Sequence, residues 1–500
     1  MSMNCPDASF SDTTDASTLA AMIRSGSVSA SAVLEVFLAR IERLNPRLNA
    51  LVTLDPEGAR AAARSVDQRR HEGVPLPPLA GVPLSIKDAF ATRGLRTTAS
   101  HRPLAGYLPD RDATVVARLR AAGGVIVGKS NLPELAGAPH CWSPLFGLTR
   151  NPWDPRLTPG GSSGGAAVAV AAGFSLIDAG SDLAGSIRIP AAYCGVAGFK
   201  ATENRIPRSG HIPHLPARFG GARSVRHMLS FGVLARSVAD LRLGYELLAG
   251  PDGEDLEVPP LAAGTPLLEK SQPERLLRLA LWTDLGLPLC ARTQAAMEGL
   301  PARLRAAGHE VCHVTPPGLD PENLREIFGL VGGAEVGLGL PGWQRAMVHL
   351  MGPLLPASGG MLRAVARGMR CDLQAYNRAL NRREEAMACL EAFLGGVDAL
   401  LCPVASCVAY PGQPMQMLSR PPAIKVAGRR LPYLEASIGL TAPFSVTGSP
   451  VAVLPAGIVD GLPVGVQVVG RRWAETALLD VAARLEPLLG GFCVPPLCRV

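Results

Sequence analysis

Two short segments combine serine with glycine in a way that can expose a hydroxyl group for chemistry. Residues 160–165 read Gly-Gly-Ser-Ser-Gly-Gly, and residues 180–190 read Gly-Ser-Asp-Leu-Ala-Gly-Ser-Ile-Arg-Ile-Pro. Glycine permits backbone angles and close approaches that other residues do not. The second segment also follows a strand-like stretch at 174–179, and α/β proteins often expose catalytic groups at strand ends. The two segments therefore indicate a serine-based site.

Other interpretations of the first segment remain open on the residues alone. A helix expected from residue 166 would offer free N–H groups at its start, which suits an anion. The segment lacks the lysine of a Walker loop and the G-x-G-x-x-G spacing, so a phosphate cradle is the weaker interpretation. A glycine-flanked serine is also common in loops where it bonds only its own backbone.

A serine nucleophile needs a base, because its protonated hydroxyl is a poor nucleophile. No histidine lies at 141–210, around the two segments. Lys87 ends an apolar, strand-like stretch at 82–86. Burial disfavours the ammonium form, and a neutral lysine can accept a proton. Asp88 follows directly, but successive strand side chains point to opposite faces, so we do not expect it to pair with Lys87.

The elements around these residues alternate between helix and strand, which predicts an α/β fold with a sheet covered on both faces. Apolar residues recur at helical spacing from Val33 to Leu44, and Pro46 predicts the end of that helix. We expect further helices at 57–71, 115–122, 293–307 and 475–486, and strands at 49–54, 82–86, 125–127, 174–179, 310–314, 398–402 and 451–454.

The stretch from about 316 to 387 changes to Gly-, Met- and Arg-rich helical sequence, which predicts a helical cover over one end of the sheet. Trp343, Met347 and Met351 in this cover are of a type that usually packs in a core. Lys129 and Lys200 are alternative bases, but each lies apart from the serine segments in its own element, so we expect structural roles for both.

Composition narrows the function classes. The 500 residues are 47% hydrophobic and 18% charged, with a formal charge of +7 spread along the chain, which is typical of a globular enzyme and does not favour a nucleic-acid surface. The eleven cysteines form no C-x-x-C pair or zinc-ligand spacing, so no metal is expected.

No apolar run is long enough to span a bilayer, and the first residues lack a secretory pattern. We therefore expect no membrane contact and a cytoplasmic protein.

The ordered set of motifs resembles the amidase signature family of Ser-Ser-Lys hydrolases. One motif alone would be weak, but several in order are specific. The chain departs from the commonest pattern of this family at Leu183 and Ala184, where Thr-Gly is usual. The matching segments lie at 81–88, 112–154, 160–165, 180–190, 232–240 and 461–467.

The resemblance implies a fold and a set of roles. The fold is the amidase signature fold, with a central mixed, twisted β-sheet covered by helices on both faces. Ser186 would be the nucleophile, Ser162 the bridging serine in a cis peptide bond, and Lys87 the base. The backbone N–H groups of Leu183, Ala184, Gly185 and Ser186 would form the oxyanion hole, and the supporting residues would be Ser163, Asp182 and Arg188.

The resemblance also implies a reaction and an organisation. We expect an amidase that hydrolyses a carboxamide C–N bond of a small molecule through a serine acyl-enzyme, without a cofactor. Alternatives are the glutaminase subunit of a tRNA-dependent amidotransferase complex, and an aryl or cyclic amide hydrolase of the same family. A monomer or homodimer that turns over simple amides would favour the stand-alone amidase. A single amidase domain is expected over residues 1–500, with a helical N-terminal part (15–72), a signature core (about 80–245), the helical cover (about 316–387) and a C-terminal sheet and helix (397–490).

Overall fold

The structure is a computed structural model that describes residues 14–212, 224–260, 275–354, 360–412 and 423–499. Most of the first 15 residues, and residues 355–359 of the predicted helical cover, lie outside these ranges.

Eleven strands form one central sheet in the order β1-β3-β2-β6-β8-β7-β14-β15-β11-β9-β10. β3, β2 and β6 are parallel, the strands from β6 to β11 pair antiparallel, and β11, β9 and β10 are parallel again, so the sheet is mixed, as predicted. Two further pairs, β4 with β5 and β12 with β13, form separate two-stranded sheets, so that the described residues contain fifteen strands. These are β1 (Leu51–Leu54), β2 (Pro83–Lys87), β3 (Val125–Ser130), β4 (Trp142–Ser143), β5 (Gly147–Leu148), β6 (Ile177–Asp182), β7 (Ala197–Lys200), β8 (Ser230–Ala235), β9 (Arg278–Leu281), β10 (Glu310–His313), β11 (Ala399–Pro403), β12 (Ala423–Val426), β13 (Arg429–Pro432), β14 (Val451–Val459) and β15 (Leu462–Val469).

Helices cover both faces of this sheet, which confirms the predicted fold class. They are α1 (Ala16–Ser25), α2 (Ala30–Leu48), α3 (Pro56–His71), α4 (Thr114–Ala121), α5 (Gly164–Ala172), α6 (Arg188–Cys194), α7 (Val238–Leu248), α8 (Ala291–Ala306), α9 (Pro321–Leu338), α10 (Gly342–Met351), α11 (Gly360–Gly368), α12 (Leu373–Leu394), α13 (Tyr433–Ile438), α14 (Ala442–Val446) and α15 (Glu475–Leu489).

The central strands that lead to the site are fully buried. Every residue of β2, β3 and β6 is buried, which is what a parallel segment covered on both faces requires. The sheet therefore carries the ends of β2 and β6 into the interior of the protein, where polar side chains at those ends are removed from bulk water.

Two sequence predictions were wrong in detail. Helix α2 does not stop at Pro46 but runs to Leu48, because a proline in the last turn removes only one hydrogen bond and the left-handed Asn49 ends the helix instead. Trp343 and Met351 are not in the core: their exposed fractions are 66% and 53%, because α10 buries none of its residues. Within the described ranges, no helix has the length and apolar character needed to cross a bilayer.

Candidate active site

The end of strand β2 carries Lys87 into a cluster of serines. Lys87 is fully buried, and its Nζ lies 2.7 Å from Ser162 Oγ, 2.9 Å from Ser163 Oγ and 3.0 Å from Ser181 Oγ. The amine thus has three hydroxyl neighbours and a more distant carbonyl, that of Ser181 at 3.4 Å. Lys87 thus contacts two adjacent serines, Ser162 and Ser163, that lie 75 and 76 residues further along the chain.

The loop before helix α5 presents both serines of the first segment to the lysine. The peptide bond between Gly161 and Ser162 is cis, and α5 begins at Gly164 directly afterwards. Ser162 and Ser163 are both buried, with exposed fractions of 1% and 0%. The N–H group of Ser163 donates to the Ser186 carbonyl at 3.1 Å, so this loop contacts the second serine segment directly.

Burial lowers the pKa of Lys87 to about 7, although the charges of Asp182 and Asp178 favour the ammonium form. A substantial fraction of the amine is therefore neutral near neutral pH, which a proton acceptor needs. Asp88 does not pair with Lys87, as expected, because its carboxylate accepts hydrogen bonds from Thr98 at 2.6 and 3.1 Å.

The alternative lysines are bonded elsewhere. Lys129 Nζ donates to the Phe90 carbonyl at 2.5 Å and to Thr92 Oγ1 at 2.6 Å. Lys200 Nζ donates to the Ser449 carbonyl at 2.6 Å. Neither makes a hydrogen bond with Ser162, Ser163 or Ser186 in the described part of the chain, so only Lys87 joins the serines.

The turn between β6 and α6 holds Ser186. Gly185 has a φ of 127°, which a residue with a Cβ rarely adopts, and a Cβ there would lie 2.5 Å from Thr441 Oγ1. The Asp182 carboxylate accepts from the N–H groups of Gly185 at 2.7 Å and Ile187 at 3.0 Å. The turn is thus closed by one carboxylate, and Ser186 stays partly exposed at its outer side.

A buried ion pair anchors this turn to the rest of the sheet. Arg188 and Asp182 are both fully buried and pair at 2.8 Å. Burial alone would raise the pKa of Asp182, but the charge and hydrogen bonds of Arg188 outweigh it and lower that pKa to about 2. The guanidinium also donates to the Thr441 carbonyl, Gln467 Oε1 and Ser445 Oγ, at 2.7, 3.1 and 2.8 Å.

One of the four N–H groups predicted for the oxyanion hole is bonded within the turn. The N–H group of Gly185 donates to Asp182, a buried carboxylate that needs donors to offset its charge. The N–H groups of Leu183, Ala184 and Ser186 have no hydrogen-bond acceptor among the described residues. The oxyanion hole stays a prediction, for which these three N–H groups are open in the structure.

Lys87 forms a hydrogen bond with Ser162, but the side chains of Ser162 and Ser186 are not hydrogen-bonded to each other in the described residues. The two segments meet through the backbone contact of Ser163. Catalytic hydrogen bonds are often long in proteins without substrate and shorten when it binds. The three side chains nevertheless lie on segments that contact each other.

Sequence reasoning missed three residues of the site. Ser181 contacts Lys87 directly, and His211 Nε2 lies 3.1 Å from Ser181 Oγ. Thr441 Oγ1 donates to the Ala184 carbonyl, in the turn that holds Ser186. Ser181 lies within segment 180–190, whose pattern could have indicated it. His211 and Thr441 lie in distant segments that carry no such motif.

A cavity of about 910 Å³ lies beside the loop that carries Ser162. Its walls include His140, Tyr410 and Tyr433, and none of Lys87, Ser162 or Ser186. Burial lowers the pKa of His140 to about 4, so that its imidazole is neutral at neutral pH. The backbone of His140 packs on Gly161, where a Cβ would lie 2.7 Å from the His140 nitrogen, so the cavity wall and the serine loop share a segment.

Comparisons with known proteins agree on one family. The family model described as Amidase matches residues 32–479. A glutamyl-tRNA(Gln) amidotransferase subunit from Chloroflexus aggregans (strain MD-66 / DSM 9485) is 34% identical over 481 residues, which covers 92% of this chain and 93% of that protein.

Solved structures share the fold over nearly the whole chain. A crystal structure of an amidase has a TM-score of 0.77 and 31% identity, and the match covers 95% of this chain and 100% of the other. The structure of 6-aminohexanoate cyclic dimer hydrolase complexed with substrate also has a TM-score of 0.77, with 28% identity, and covers 97% of this chain and 99% of that one.

Proposed function

This chain belongs to the amidase family, whose members hydrolyse C–N bonds of amides, and from that premise we propose that it works through a serine acyl-enzyme with Ser186 as nucleophile. Ser162 relays protons and Lys87 is the ultimate base. The substrate is a small-molecule carboxamide.

The reaction runs in two steps that balance in protons. Neutral Lys87 takes the proton of Ser162, which takes that of Ser186 as the Ser186 oxygen attacks the amide carbon. The N–H groups of Leu183, Ala184 and Ser186 stabilise the resulting oxyanion. Ser162 then returns a proton to the leaving nitrogen, since an amine anion leaves poorly, and the C–N bond breaks. Water releases the acyl group by the reverse relay.

One observation carries this proposal: a fully buried lysine with a pKa near 7 lies 2.7 Å from the hydroxyl of a serine. A buried amine without a counter-charge in contact costs stability, and perturbed groups of this kind cluster at catalytic sites. The partial exposure of Ser186 supports its role, because a nucleophile has to be reached by substrate.

Single replacement of Ser186, Ser162 and Lys87 by alanine tests the mechanism. Each variant should lower amide hydrolysis by about a thousandfold or more, because groups that act as a unit lose most of their effect together. A panel of aliphatic, aryl and cyclic amides finds the substrate class, and the best substrate is then used to compare kcat/KM among the variants.

Arg64 supplies a control, since it is an exposed cation of helix α3 and is not among the residues that line the cavity. Arg64→Ala should retain the activity of the unmodified protein. Unchanged hydrolysis by Lys87→Ala, with Ser186→Ala inactive, would exclude lysine as the base while leaving serine as the nucleophile.

A second function is favoured by the relative named as an amidotransferase subunit, which matches over 93% of its length. In this alternative, the same residues release ammonia from glutamine for a partner protein. Glutaminase activity that depends on an added partner would favour it. Turnover of simple amides by the purified chain alone, without such dependence, would favour the stand-alone amidase.

A further inference from the structure

His211 lies behind the lysine and serine cluster. Its side chain is buried, with an exposed fraction of 2%, and its Nε2 lies 3.1 Å from Ser181 Oγ. The rings of Phe90 and Phe231 pack against it at centroid distances of 5.0 and 4.8 Å. The imidazole is thus held by aromatic contacts so that one nitrogen faces Ser181, which in turn contacts Lys87.

The hydrogen bonds around Lys87 leave few arrangements in which it can act as a base. A neutral amine has two N–H donors and one lone pair. If the lone pair is to accept the proton of Ser162, the nearest acceptors for the two N–H groups are Ser163 and Ser181, the two other hydroxyls within 3.0 Å, because the Ser181 carbonyl is farther away at 3.4 Å. Ser163 and Ser181 must then act as acceptors towards Lys87.

Each of these serines needs another acceptor for its own proton. Ser163 Oγ can donate to the Ser181 carbonyl at 3.5 Å. His211 Nε2, 3.1 Å from Ser181 Oγ, can accept the proton of Ser181 when the imidazole carries its own proton on Nδ1. Without that acceptor, the Ser181 hydroxyl can turn its proton towards the lone pair of Lys87 and compete with Ser162.

We propose that His211 is a positioning residue: its Nε2 accepts the Ser181 proton, which keeps Ser181 an acceptor and directs the lone pair of Lys87 to Ser162. This inference rests on the proposed function of Lys87. No proton is transferred to His211 in the reaction, so its contribution is the direction of one hydrogen bond. The tautomer that fits has its proton on Nδ1, a buried atom with no hydrogen-bond acceptor among the described residues, so this tautomer is part of the proposal and is tested with it.

Two variants of similar length separate this role from simple packing. His211→Gln keeps an oxygen that can accept the Ser181 proton, whereas His211→Met fills the same space without a strong acceptor. The readout is the rate at which an organofluorophosphonate labels Ser186. In that reaction the serine oxygen bonds to phosphorus, fluoride leaves and the proton passes to the relay, so no knowledge of the amide substrate is required.

His211→Met should label at least about tenfold more slowly than the unmodified protein, as expected when a general base is misdirected, and His211→Gln should stay within about threefold. Ser181→Ala removes the hydroxyl through which His211 acts. The double variant Ser181→Ala/His211→Met should therefore be no slower than Ser181→Ala alone.

Equal labelling of His211→Met and the unmodified protein would overturn the proposal. So would a His211→Gln variant as slow as His211→Met, or a double variant in which the two losses multiply. His211→Leu replaces His211→Met if the latter does not fold. Failure of the proposed function gives a different result: the Lys87→Ala protein would then label as fast as the unmodified protein, or the unmodified protein would label no faster than the Ser186→Ala protein.

Discussion

At the scale of single residues, the partners of a buried lysine decide what it can do. Burial lowers the pKa of Lys129 to about 8 and that of Lys200 to about 7, much as it does for Lys87. Lys129 and Lys200, however, lie 2.5 and 2.6 Å from backbone carbonyls, which can only accept. The two hydroxyls that Lys129 also contacts, those of Thr92 and Thr97, donate their own protons to backbone carbonyls at 3.1 and 3.0 Å. Lys87 is surrounded by hydroxyls that can also donate, and its nearest carbonyl is 3.4 Å away. Its lone pair therefore has proton donors.

The pKa of Lys87 sets a pH dependence of acylation. Because the base has to be neutral, the rate of Ser186 labelling should rise with pH and level off above a midpoint near 7. The negative charge of Asp178 favours the ammonium form of Lys87, so Asp178→Asn should lower the pKa of Lys87 and move the midpoint to lower pH. Labelling rates measured between about pH 5 and pH 9 give both midpoints.

The matched control for this shift is Asp154→Asn, which changes an aspartate paired with the exposed Arg156. Its midpoint should equal that of the unmodified protein. A rate that does not change with pH, or the same midpoint in all three proteins, would be incompatible with Lys87 as the titrating base.

Motifs could predict Ser162, Ser186 and Lys87 as candidates because each stands in a segment with its own sequence pattern. His211 could not be predicted in this way. Its position follows from the packing of Phe90 and Phe231, and neither of these residues is near it in the sequence. Contacts that depend on tertiary packing leave no local signal.

At the scale of elements, the turn from β6 to α6 is held in place by contacts from outside it. Arg188 links the turn to Thr441 and Ser445 near α14 and to Gln467 of β15. Sequence patterns predicted most of these elements, because burial on both faces and helical periodicity are local signals. They did not predict the exposed face of α10, since an apolar pattern does not say what covers it.

Arg188→Met should destabilise the protein by about 3–5 kcal/mol, because it leaves the Asp182 carboxylate buried without its partner. Ser186 labelling should fall as well, since the turn loses its anchor. Equilibrium urea unfolding measures the first effect. The double variant Asp182→Asn/Arg188→Met should recover part of the lost stability, as it removes the unpaired charge.

Arg156 provides the comparison, because it forms the same type of pair with Asp154 but on the surface. Arg156→Met should leave the urea midpoint unchanged. Equal midpoints for Arg188→Met and Arg156→Met would show that the buried pair contributes no more than a surface one.

At the scale of the whole molecule, three lysines with lowered pKa values are buried in one sheet, and this links stability to pH. The pKa of Lys87 is about 7 in the folded protein, against its usual 10.5 in the unfolded chain. Between these values the unfolded chain binds more protons, so raising the pH favours the folded state. The prediction of one domain over the whole chain stays a prediction that unfolding experiments can address.

Lys87→Met removes this contribution. The free energy of unfolding of the unmodified protein minus that of Lys87→Met should therefore increase by about 1.4 kcal/mol per pH unit between about pH 7.5 and pH 9. Urea unfolding of both proteins at several pH values measures the difference. Lys425 is exposed, so the corresponding difference in free energy of unfolding for Lys425→Met should not change with pH. A difference that is also constant for Lys87→Met would contradict the lowered pKa of Lys87.

The order of strands in the sheet also bears on how the protein is made. Lys87, Ser162 and Ser186 lie on or next to β1 to β8, which are synthesised before β9 to β15. The earlier strands end at β7, whose outer edge pairs only with β14, and the partners of Arg188 at Thr441 and Gln467 are later still. A ribosome therefore synthesises all three proposed catalytic residues long before the anchor of the Ser186 turn exists. We expect the nascent chain to carry an open strand edge and an unanchored turn until its last quarter has emerged.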